Sequence, residues 1–231
     1  MVGEPPGSAT PPSTRSRATH RLRVSGFWID DQLRHRGIHD ERVLAAMAHV
    51  LRELFVPDDL RGLAYEDAAL PLAHGQTVSQ PFVVAFICQG LALEGDERVL
   101  DVGTGSGYQA AVLAELAREV HSIERIPELA GRAKASLAAA GYERVHVHVG
   151  DGWLGLPEHA PYDAIAVAAA AEEMPPALLG QLREGGRIAL PLGRRHQQLC
   201  VFERTVEGAR LLAAIPVRFV PLVGGKNEVP E

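Results

Sequence analysis

The chain has 231 residues, of which 46% are hydrophobic and 23% are charged, as expected for one folded domain with small additions. Its formal net charge of -6 argues against a general affinity for nucleic acid or for an anionic membrane surface. The two cysteines lie far apart and no apolar run reaches the roughly 18 residues of a membrane span, so we expect a cytoplasmic protein without a disulfide framework.

The first third of the chain predicts helices and loops. Residues 1–24 contain four prolines and few large apolar side chains, which predicts a disordered tail. Between residues 27 and 55 the apolar positions recur at helical spacing with a break at Gly37, which indicates two short helices. Residues 56–81 are rich in proline and glycine, so we expect a structured loop region suited to an active-site segment. A helix is predicted over residues 82–93.

The remainder of the chain alternates short apolar strands with helices. Strands are predicted at residues 98–102, 120–123, 145–149, 164–167 and 187–190. Helices are predicted at residues 108–117 and 127–140, between the first three of these strands. This alternation is typical of right-handed βαβ units and a mostly parallel sheet. Three later apolar runs, at residues 198–202, 211–214 and 217–220, are expected to complete one edge of the sheet, partly as antiparallel strands.

These elements predict an α/β fold with a doubly wound, mostly parallel sheet, an antiparallel edge and a small N-terminal helical addition. We expect one domain over residues 25–231. Its N-terminal helices and loop region would occupy residues 25–95, and the sheet with its C-terminal strands would occupy residues 96–231. The chain is expected to be a monomer.

A glycine-rich turn connects the first predicted strand to the next helix. Residues 101–107 read Asp-Val-Gly-Thr-Gly-Ser-Gly, and glycines here let the backbone turn tightly and let a ligand approach it. Glu124 ends the second strand, where a carboxylate can accept hydrogen bonds from both hydroxyls of a ribose. After the third strand, Asp151 and Gly152 would meet the amino group of an adenine. The candidate ligand-binding residues are Asp101, Gly103, Thr104, Gly105, Ser106, Gly107, Glu124, Asp151 and Gly152.

The glycine spacing separates two kinds of cofactor. A dinucleotide site has the pattern G-x-G-x-x-G, whereas this chain has Tyr108 where the third glycine would fall, and no Walker A lysine follows. The three carboxylates would repel a phosphate and suit a cationic ligand such as S-adenosylmethionine. This pattern resembles that of the class I S-adenosylmethionine-dependent methyltransferases, which have a Rossmann-like fold. Each acid could instead be a turn former or a solvated strand end, and an NAD-dependent oxidoreductase or a noncatalytic binding module is the rival class.

The segment before the sheet carries a more specific resemblance. Residues 69–81 read ALPLAHGQTVSQP and closely resemble a motif of the protein-L-isoaspartate O-methyltransferase family. The resemblance extends in the family's order over essentially all the chain after residue 28. The other similar segments are residues 99–111, 120–124, 150–153, 160–167 and 217–222.

The resemblance implies transfer of a methyl group from S-adenosylmethionine, leaving S-adenosylhomocysteine, to the free carboxylate of L-isoaspartyl residues in damaged proteins. Ser79 matches the family's active-site serine, and the segment Thr77-Val78-Ser79 would fold over the cofactor and hold the acceptor carboxylate. We expect His74 and Val220 to contact the substrate. Thr77 and Ser79 could also cap the following helix. A related activity, methylation of an aspartate in a specific ribosomally made peptide, is the alternative.

The implied chemistry needs few residues. The acceptor carboxylate, with a pKa near ~3.5, is already ionised at neutral pH, so no general base is required. Catalysis then depends on alignment of oxygen, methyl carbon and sulfur and on exclusion of water. Ser79 is expected to orient the carboxylate. One departure is Ala168, since the family commonly has Thr-Ala-Ala after the fourth strand and this chain has three alanines.

Two pairs of histidines could suggest a metal. His146 and His148 alternate along a predicted strand, and His35 and His39 would share a helix face if Gly37 did not intervene. The sequence places no third ligand beside either pair. We therefore expect no metal.

Overall fold

The structure is a computed structural model that describes residues 28–225. The predicted tail of residues 1–24 lies outside the described residues. Within the described part of the chain, no helix combines the length and the apolar character that a membrane crossing requires.

The N-terminal part begins with a short irregular turn rather than a full helix. A π-helical turn, Ile29–Leu33, and a 3-10 turn, Arg34–Arg36, end at Gly37 with a φ of 96°. Helix α1, Glu41–His49, follows and is capped by the side chain of Asp40. Two 3-10 turns, Arg52–Leu54 and Asp58–Leu63, continue the chain. The predicted pair of helices is thus one regular helix preceded by a π-helical turn and a 3-10 turn.

The predicted loop region contains a small hairpin that the sequence did not reveal. Strands β1, Leu70–Pro71, and β2, Thr77–Val78, pair antiparallel around a 3-10 turn, Ala73–Gly75. Helix α2, Pro81–Leu91, starts with proline in its first turn, where no intrahelical N–H is needed. The hairpin therefore leads directly into a buried helix.

Seven strands form one mixed sheet in the order β5-β4-β3-β6-β7-β8-β9. They are β3 Arg98–Val102, β4 Glu119–Glu124, β5 Val145–Val149, β6 Tyr162–Val167, β7 Leu182–Leu192, β8 Gln197–Thr205 and β9 Gly208–Val217. The first five are parallel, and the last two add an antiparallel edge. Helices α3, α4 and α5 are Tyr108–Leu116, Pro127–Ala139 and Pro176–Gln181. The predicted fold class is confirmed.

The C-terminal prediction needs a correction. The two expected strands at 211–214 and 217–220 are one strand, β9, which ends at Val217. Residues beyond it leave the sheet, because the N–H of Phe219 donates to the Gln197 side chain and Ala170 exchanges backbone hydrogen bonds with Val220 and Leu222. The apolar character of this segment reflects packing beside the carboxyl ends of the strands.

Two apolar clusters cover the faces of the sheet. The larger contains α1, α2 and α3, and the smaller includes Leu100, Val102 and Ile165 on the opposite face. The strand order reverses at β3, with β4 on one side and β6 on the other. In open α/β sheets, ligands bind outside the carboxyl ends of the strands at such a switch point.

Candidate active site

A cavity lies at the carboxyl ends of the parallel strands and, counted to its open mouth, encloses about 920 Å³. The carboxyl ends of the four parallel strands β3, β4, β5 and β6 all contribute to its lining. The residues from these strand ends are Gly103, Thr104, Glu124, Gly152 and Ala168. Opposite them, residues 76–79 and 220–223 form the remaining wall. The cavity thus joins the sheet, the hairpin and the C-terminal segment.

The glycine turn after β3 adopts a backbone that other residues resist. Gly103 has a φ of 94°, and a Cβ there would lie 3.5 Å from the Cβ of Ala168. The N–H groups of Gly103 and Thr104 donate to the carbonyl of Ile123, at 2.9 and 3.3 Å. Gly107, with a φ of 91°, lets helix α3 pack against Leu137, whose Cγ would be 3.1 Å from an added Cβ. The turn is therefore fixed to β4 and α4.

Glu124 lines the cavity although it is only 7% exposed. Its Oε2 accepts a hydrogen bond from the N–H of Gly105 at 2.8 Å, and its Oε1 accepts one from Ile126 at 3.0 Å. A carboxylate oxygen has two lone pairs, so each can accept one further donor. Glu124 thereby both ties the glycine turn to β4 and keeps capacity for a pair of hydroxyls. Ser106 also lines the cavity.

Asp101 lies beneath the turn, fully buried, and is not among the lining residues. Its carboxylate accepts hydrogen bonds from Gln109 Nε2 at 2.7 Å and from Ser122 Oγ at 2.6 Å. Burial raises the pKa of Asp101 to about 6, against the lowering effect of these two donors. Asp101 therefore fixes the positions of the Gln109 and Ser122 side chains.

Gln109 is a cavity residue that sequence reasoning missed. Its amide nitrogen donates to Asp101, which directs the amide oxygen the other way. That oxygen is buried and has no hydrogen-bond partner in the structure, although Gln109 lines the cavity. An unpaired buried acceptor is costly and points to a donor on a ligand. The signal in the sequence was a glutamine in the first turn of a helix that is apolar apart from Glu115.

The Asp151 carboxylate stabilises the turn after β5 and joins it to the C-terminal segment. Its Oδ1 accepts from the N–H of Trp153 at 2.9 Å, and its Oδ2 accepts from the N–H of Gly225 at 2.7 Å. Gly152 lines the cavity, and a Cβ there would lie 2.6 Å from Val102 Cγ1. Of the three predicted carboxylates, Glu124 alone is among the lining residues. The proposed contact of Asp151 with an adenine stays a prediction.

The hairpin strand β2 separates two cavities. Thr77 and Ser79 line both the first cavity and a second one of about 640 Å³, whose other wall includes residues 215–219. Val78 is 2% exposed and anchors the strand in the core while it also borders the first cavity. Val220 lines the first cavity, whereas His74 is exposed on the hairpin turn and is absent from the lining of either. Thr77 and Ser79 thus lie between the two cavities.

Comparison with known proteins gives this geometry a context. The family model for protein-L-isoaspartate(D-aspartate) O-methyltransferase matches residues 28–227. The chain belongs to this family. A protein-L-isoaspartate O-methyltransferase from Opitutus terrae is 49% identical to it over 222 residues, which are 95% of this chain and 94% of the relative. The resemblance predicted from the motifs is thereby confirmed.

Solved structures of the family have the same fold. A protein-L-isoaspartate O-methyltransferase with 29% identity superposes with a TM-score of 0.73, covering 89% of this chain and 66% of that one. A Plasmodium falciparum structure of the same description, in complex with S-adenosyl-L-homocysteine, has 24% identity and a TM-score of 0.74, with coverages of 84% and 96%. Both support the Rossmann-like methyltransferase fold.

In this chain, Arg52 fastens the loop segment that leads to Ser79. Its guanidinium is fully buried and donates to the backbone carbonyls of Ala64, of Ala68 at 3.2 Å and of Ser79 at 2.9 Å. The guanidinium carbon also lies 5.7 Å from the ring centroid of Tyr108. Burial lowers the pKa of Arg52. One side chain therefore connects three points of the loop region that no sequence motif relates.

Proposed function

We propose that this protein transfers a methyl group from S-adenosylmethionine to the free carboxylate of L-isoaspartyl residues in damaged proteins and peptides. The observation that carries the proposal is the wall at Thr77 and Ser79, which two cavities share in a chain of this family. One cavity has the acceptors that a cationic nucleoside requires, and the other opens beside it for a peptide. The names of the relatives do not favour the alternative, tailoring of a ribosomally made peptide.

The residues present fit S-adenosylmethionine. Glu124 keeps acceptor capacity for the ribose hydroxyls, and the orphaned amide oxygen of Gln109 is an acceptor for an ammonium group. Gly103 and Gly152 keep the cavity free of side chains where a ligand must approach the backbone. When bound, the cofactor supplies an electrophilic methyl group on a sulfonium. Asp101 acts indirectly, by orienting Gln109.

The second cavity suits the main chain that carries the acceptor. Residues 215–219 form one side, and Arg36 contributes a guanidinium at the rim, 3.7 Å from the ring centroid of Phe82. A carboxylate on the extra-long isoaspartyl linkage would enter between Thr77 and Ser79. Neutral hydroxyl donors orient such a carboxylate with little loss of nucleophilicity, whereas a direct arginine clamp would stabilise its ground state.

The chain's own residues then have three tasks. Thr77 and Ser79 aim the acceptor oxygen, the segment at 220–223 excludes water, and Glu124 with Gln109 fixes the donor side. No side chain has to remove a proton, because the acceptor is already ionised. A backbone amide nitrogen of the substrate then attacks the methyl ester spontaneously and expels methanol, forming a succinimide whose hydrolysis returns part of the isoaspartate to aspartate. Repair requires no further catalytic residue.

We infer in addition that the protein acts as a cytoplasmic monomer without nucleic-acid or membrane partners. The negative net charge and the two buried free thiols, Cys88 and Cys200, support this setting. Burial raises the pKa of both thiols, which keeps them protonated and unreactive. Light scattering coupled to size exclusion tests the monomer, since a mass of twice 24.8 kDa would refute it.

The decisive assay compares two peptides that differ only in one linkage. An isoaspartyl peptide and the same peptide with a normal aspartyl residue are each incubated with the full chain and S-adenosylmethionine that carries a radiolabelled methyl group. The label that base releases from each peptide, which marks a methyl ester, is then counted. We expect labelling of the isoaspartyl peptide alone. Equal labelling of both peptides, or of neither, would overturn the proposed substrate.

A further inference from the structure

Four histidines gather on the side of the sheet opposite to Glu124. In β4 the side chains alternate, so His121 and Glu124 lie on different faces. His121 pairs in register with His146, and Ile123 with His148, which places both β5 histidines on the face of His121. His159, at the end of a 3-10 turn before β6, stacks on His121 with ring centroids 4.1 Å apart.

We propose that His121, His148 and His159 form a binding site for a zinc-class divalent transition metal ion, separate from the methyl-transfer cavity. Each offers one ring nitrogen, and these three atoms lie within 4.8 Å of one another. His121 Nδ1 and His148 Nε2 are 3.1 Å apart. Two nitrogens bound tetrahedrally at 2.0–2.1 Å from zinc are about 3.4 Å apart, so this pair already has the spacing of ligands.

A carboxylate behind His121 completes the arrangement. His121 Nε2 lies 3.0 Å from Glu119 Oε1, and Arg98 Nε donates to Glu119 Oε2 at 2.8 Å. When Nε2–H donates to Glu119, the lone pair of Nδ1 points toward His148. Histidines that bind metals commonly donate their other N–H to a carboxylate, which fixes the tautomer and ring orientation. Glu119 is therefore a positioning residue for the site.

A simple hydrogen bond between the two rings accounts for the 3.1 Å contact, but for nothing else in the cluster. It does not explain why a third imidazole, His159, lies against His121 from a separate segment. Nor does it explain His146, whose ring centroid is 5.0 Å from that of His121 on the exposed side. Shared binding of one ion explains the convergence of three chain segments.

The donor set determines the class of ion. Neutral imidazoles without thiolates or several carboxylates favour zinc, nickel or copper over magnesium or calcium, which prefer oxygen ligands. The exposed His146 or a water can occupy a fourth position. His148 and His159 are half-buried, so an ion can enter from solvent. Binding would fasten β4, β5 and the segment before β6 together.

The test uses the full chain without a polyhistidine tag, treated with chelator and then titrated with zinc sulfate by calorimetry. We expect one equivalent of zinc to bind and the melting temperature to rise. His148→Ala and His159→Ala should each weaken binding by at least about 100-fold, and Glu119→Gln by about 10- to 100-fold. The matched control is His196→Ala, which removes an exposed histidine outside the cluster.

Circular dichroism of each metal-free variant verifies folding, and cobalt gives a second readout. Tetrahedral Co²⁺ bound to the wild type should show visible absorption bands, which Glu119→Gln shifts to higher cobalt concentration and His148→Ala abolishes. Failure of the wild type to bind zinc at one equivalent would overturn the site. Equal affinities of the wild type, the cluster variants and His196→Ala would overturn it as well.

Discussion

The side of the cavity that we propose binds the cofactor is built from the ends of consecutive strands, whereas the side that we propose faces the substrate is a loop segment fastened by the buried guanidinium of Arg52. On the first side, short hydrogen bonds fix the turn to β4. The N–H of Gly103 donates to the carbonyl of Ile123, and the N–H groups of Gly105 and Ile126 donate to the carboxylate of Glu124. On the second side, the geometry of Ser79 depends on contacts across the fold. Substitutions on the two sides should therefore have different effects. Those on the first side should lower cofactor affinity, and those on the second should lower turnover.

The largest expected loss comes from Gly103→Val. The φ of 94° strains any residue with a Cβ, a β-branched one most of all, and the Cγ methyls of valine would extend from a Cβ that already contacts the Ala168 Cβ at 3.5 Å. We expect the affinity for S-adenosylhomocysteine, measured by calorimetry, to fall at least about 1,000-fold, since several kcal/mol of strain and intrusion act together. The control is Gly131→Val on α4, where an added Cβ meets nothing within 4 Å. Undiminished affinity in Gly103→Val would refute the turn as a ligand site.

On the other side, Arg52→Met should detach the hairpin from the core. Three backbone carbonyls, including that of Ser79, lose their donor, although the cost of burying a charge is also removed. We expect kcat/KM for an isoaspartyl peptide to fall about 100-fold and the free energy of unfolding to fall by about 2–4 kcal/mol. Cofactor affinity should change less than tenfold. Arg61→Met, at an exposed arginine, is the control; a larger loss of cofactor affinity than of turnover would contradict the separation.

This division also explains what the sequence revealed. The bounds of β3 and β5 follow from short apolar runs, and the positions of Gly103 and Glu124 at the strand ends follow from a local strand-turn-helix pattern. Arg52 carries no such pattern, because its partners are main-chain carbonyls 12, 16 and 27 residues away. From the sequence alone, a buried arginine cannot be distinguished from an exposed arginine in a helical turn.

The same limit applies to side chains that meet through the sheet. In the sequence, Gln109 cannot be distinguished from its neighbours in the helix, because its contact with Asp101 is visible only in the folded structure. His159 comes from a turn whose position over β4 depends on how β6 enters the sheet. Residues 218–220 were wrongly predicted as a strand because apolar composition alone cannot distinguish a strand from the walls of the two cavities.

The buried acid below the cofactor side can be tested by pH. The folded state raises the pKa of Asp101 to about 6 from 3.8, so the stability linked to its proton is complete below about pH 3.8 and lost as the pH rises through 6. One pKa unit corresponds to about 1.4 kcal/mol, so we expect the unfolding free energy of the wild type, relative to Asp101→Asn, to fall by about 2–3 kcal/mol between pH 4 and 7.5. Denaturant melts measure it.

The control for this pH series is Asp59→Asn, which replaces an exposed aspartate outside the site. Its stability difference from the wild type should be nearly constant over the same range. A constant difference for Asp101→Asn as well would mean that Asp101 keeps an ordinary pKa in the folded protein. The buried network of Gln109 and Ser122 would then be better solvated than its contacts indicate.

Ser79→Ala tests the boundary between the two sides directly. Ser79 lines both cavities, and a hydrogen bond from its hydroxyl to a charged group would contribute about 1.5–3 kcal/mol. We expect kcat/KM for an isoaspartyl peptide to fall about 10- to 100-fold, with cofactor affinity changed less than about threefold. Equal losses of both quantities would assign Ser79 to folding of the hairpin. The melting temperature of the variant distinguishes that outcome.

The smallest expected effect is a gain at the junction of the two sides. Ala168 is half-buried and lines the cavity beside Gly103, at the position where the family commonly has a threonine. Ala168→Thr adds a hydroxyl, and one neutral hydrogen bond contributes about 0.5–1.5 kcal/mol, so KM for an isoaspartyl peptide should fall about 2- to 10-fold. Ala168→Val has the same shape without the hydroxyl and should raise KM or leave it unchanged. If both variants lower KM equally, the gain comes from filling space, and the missing hydroxyl has no part in substrate binding.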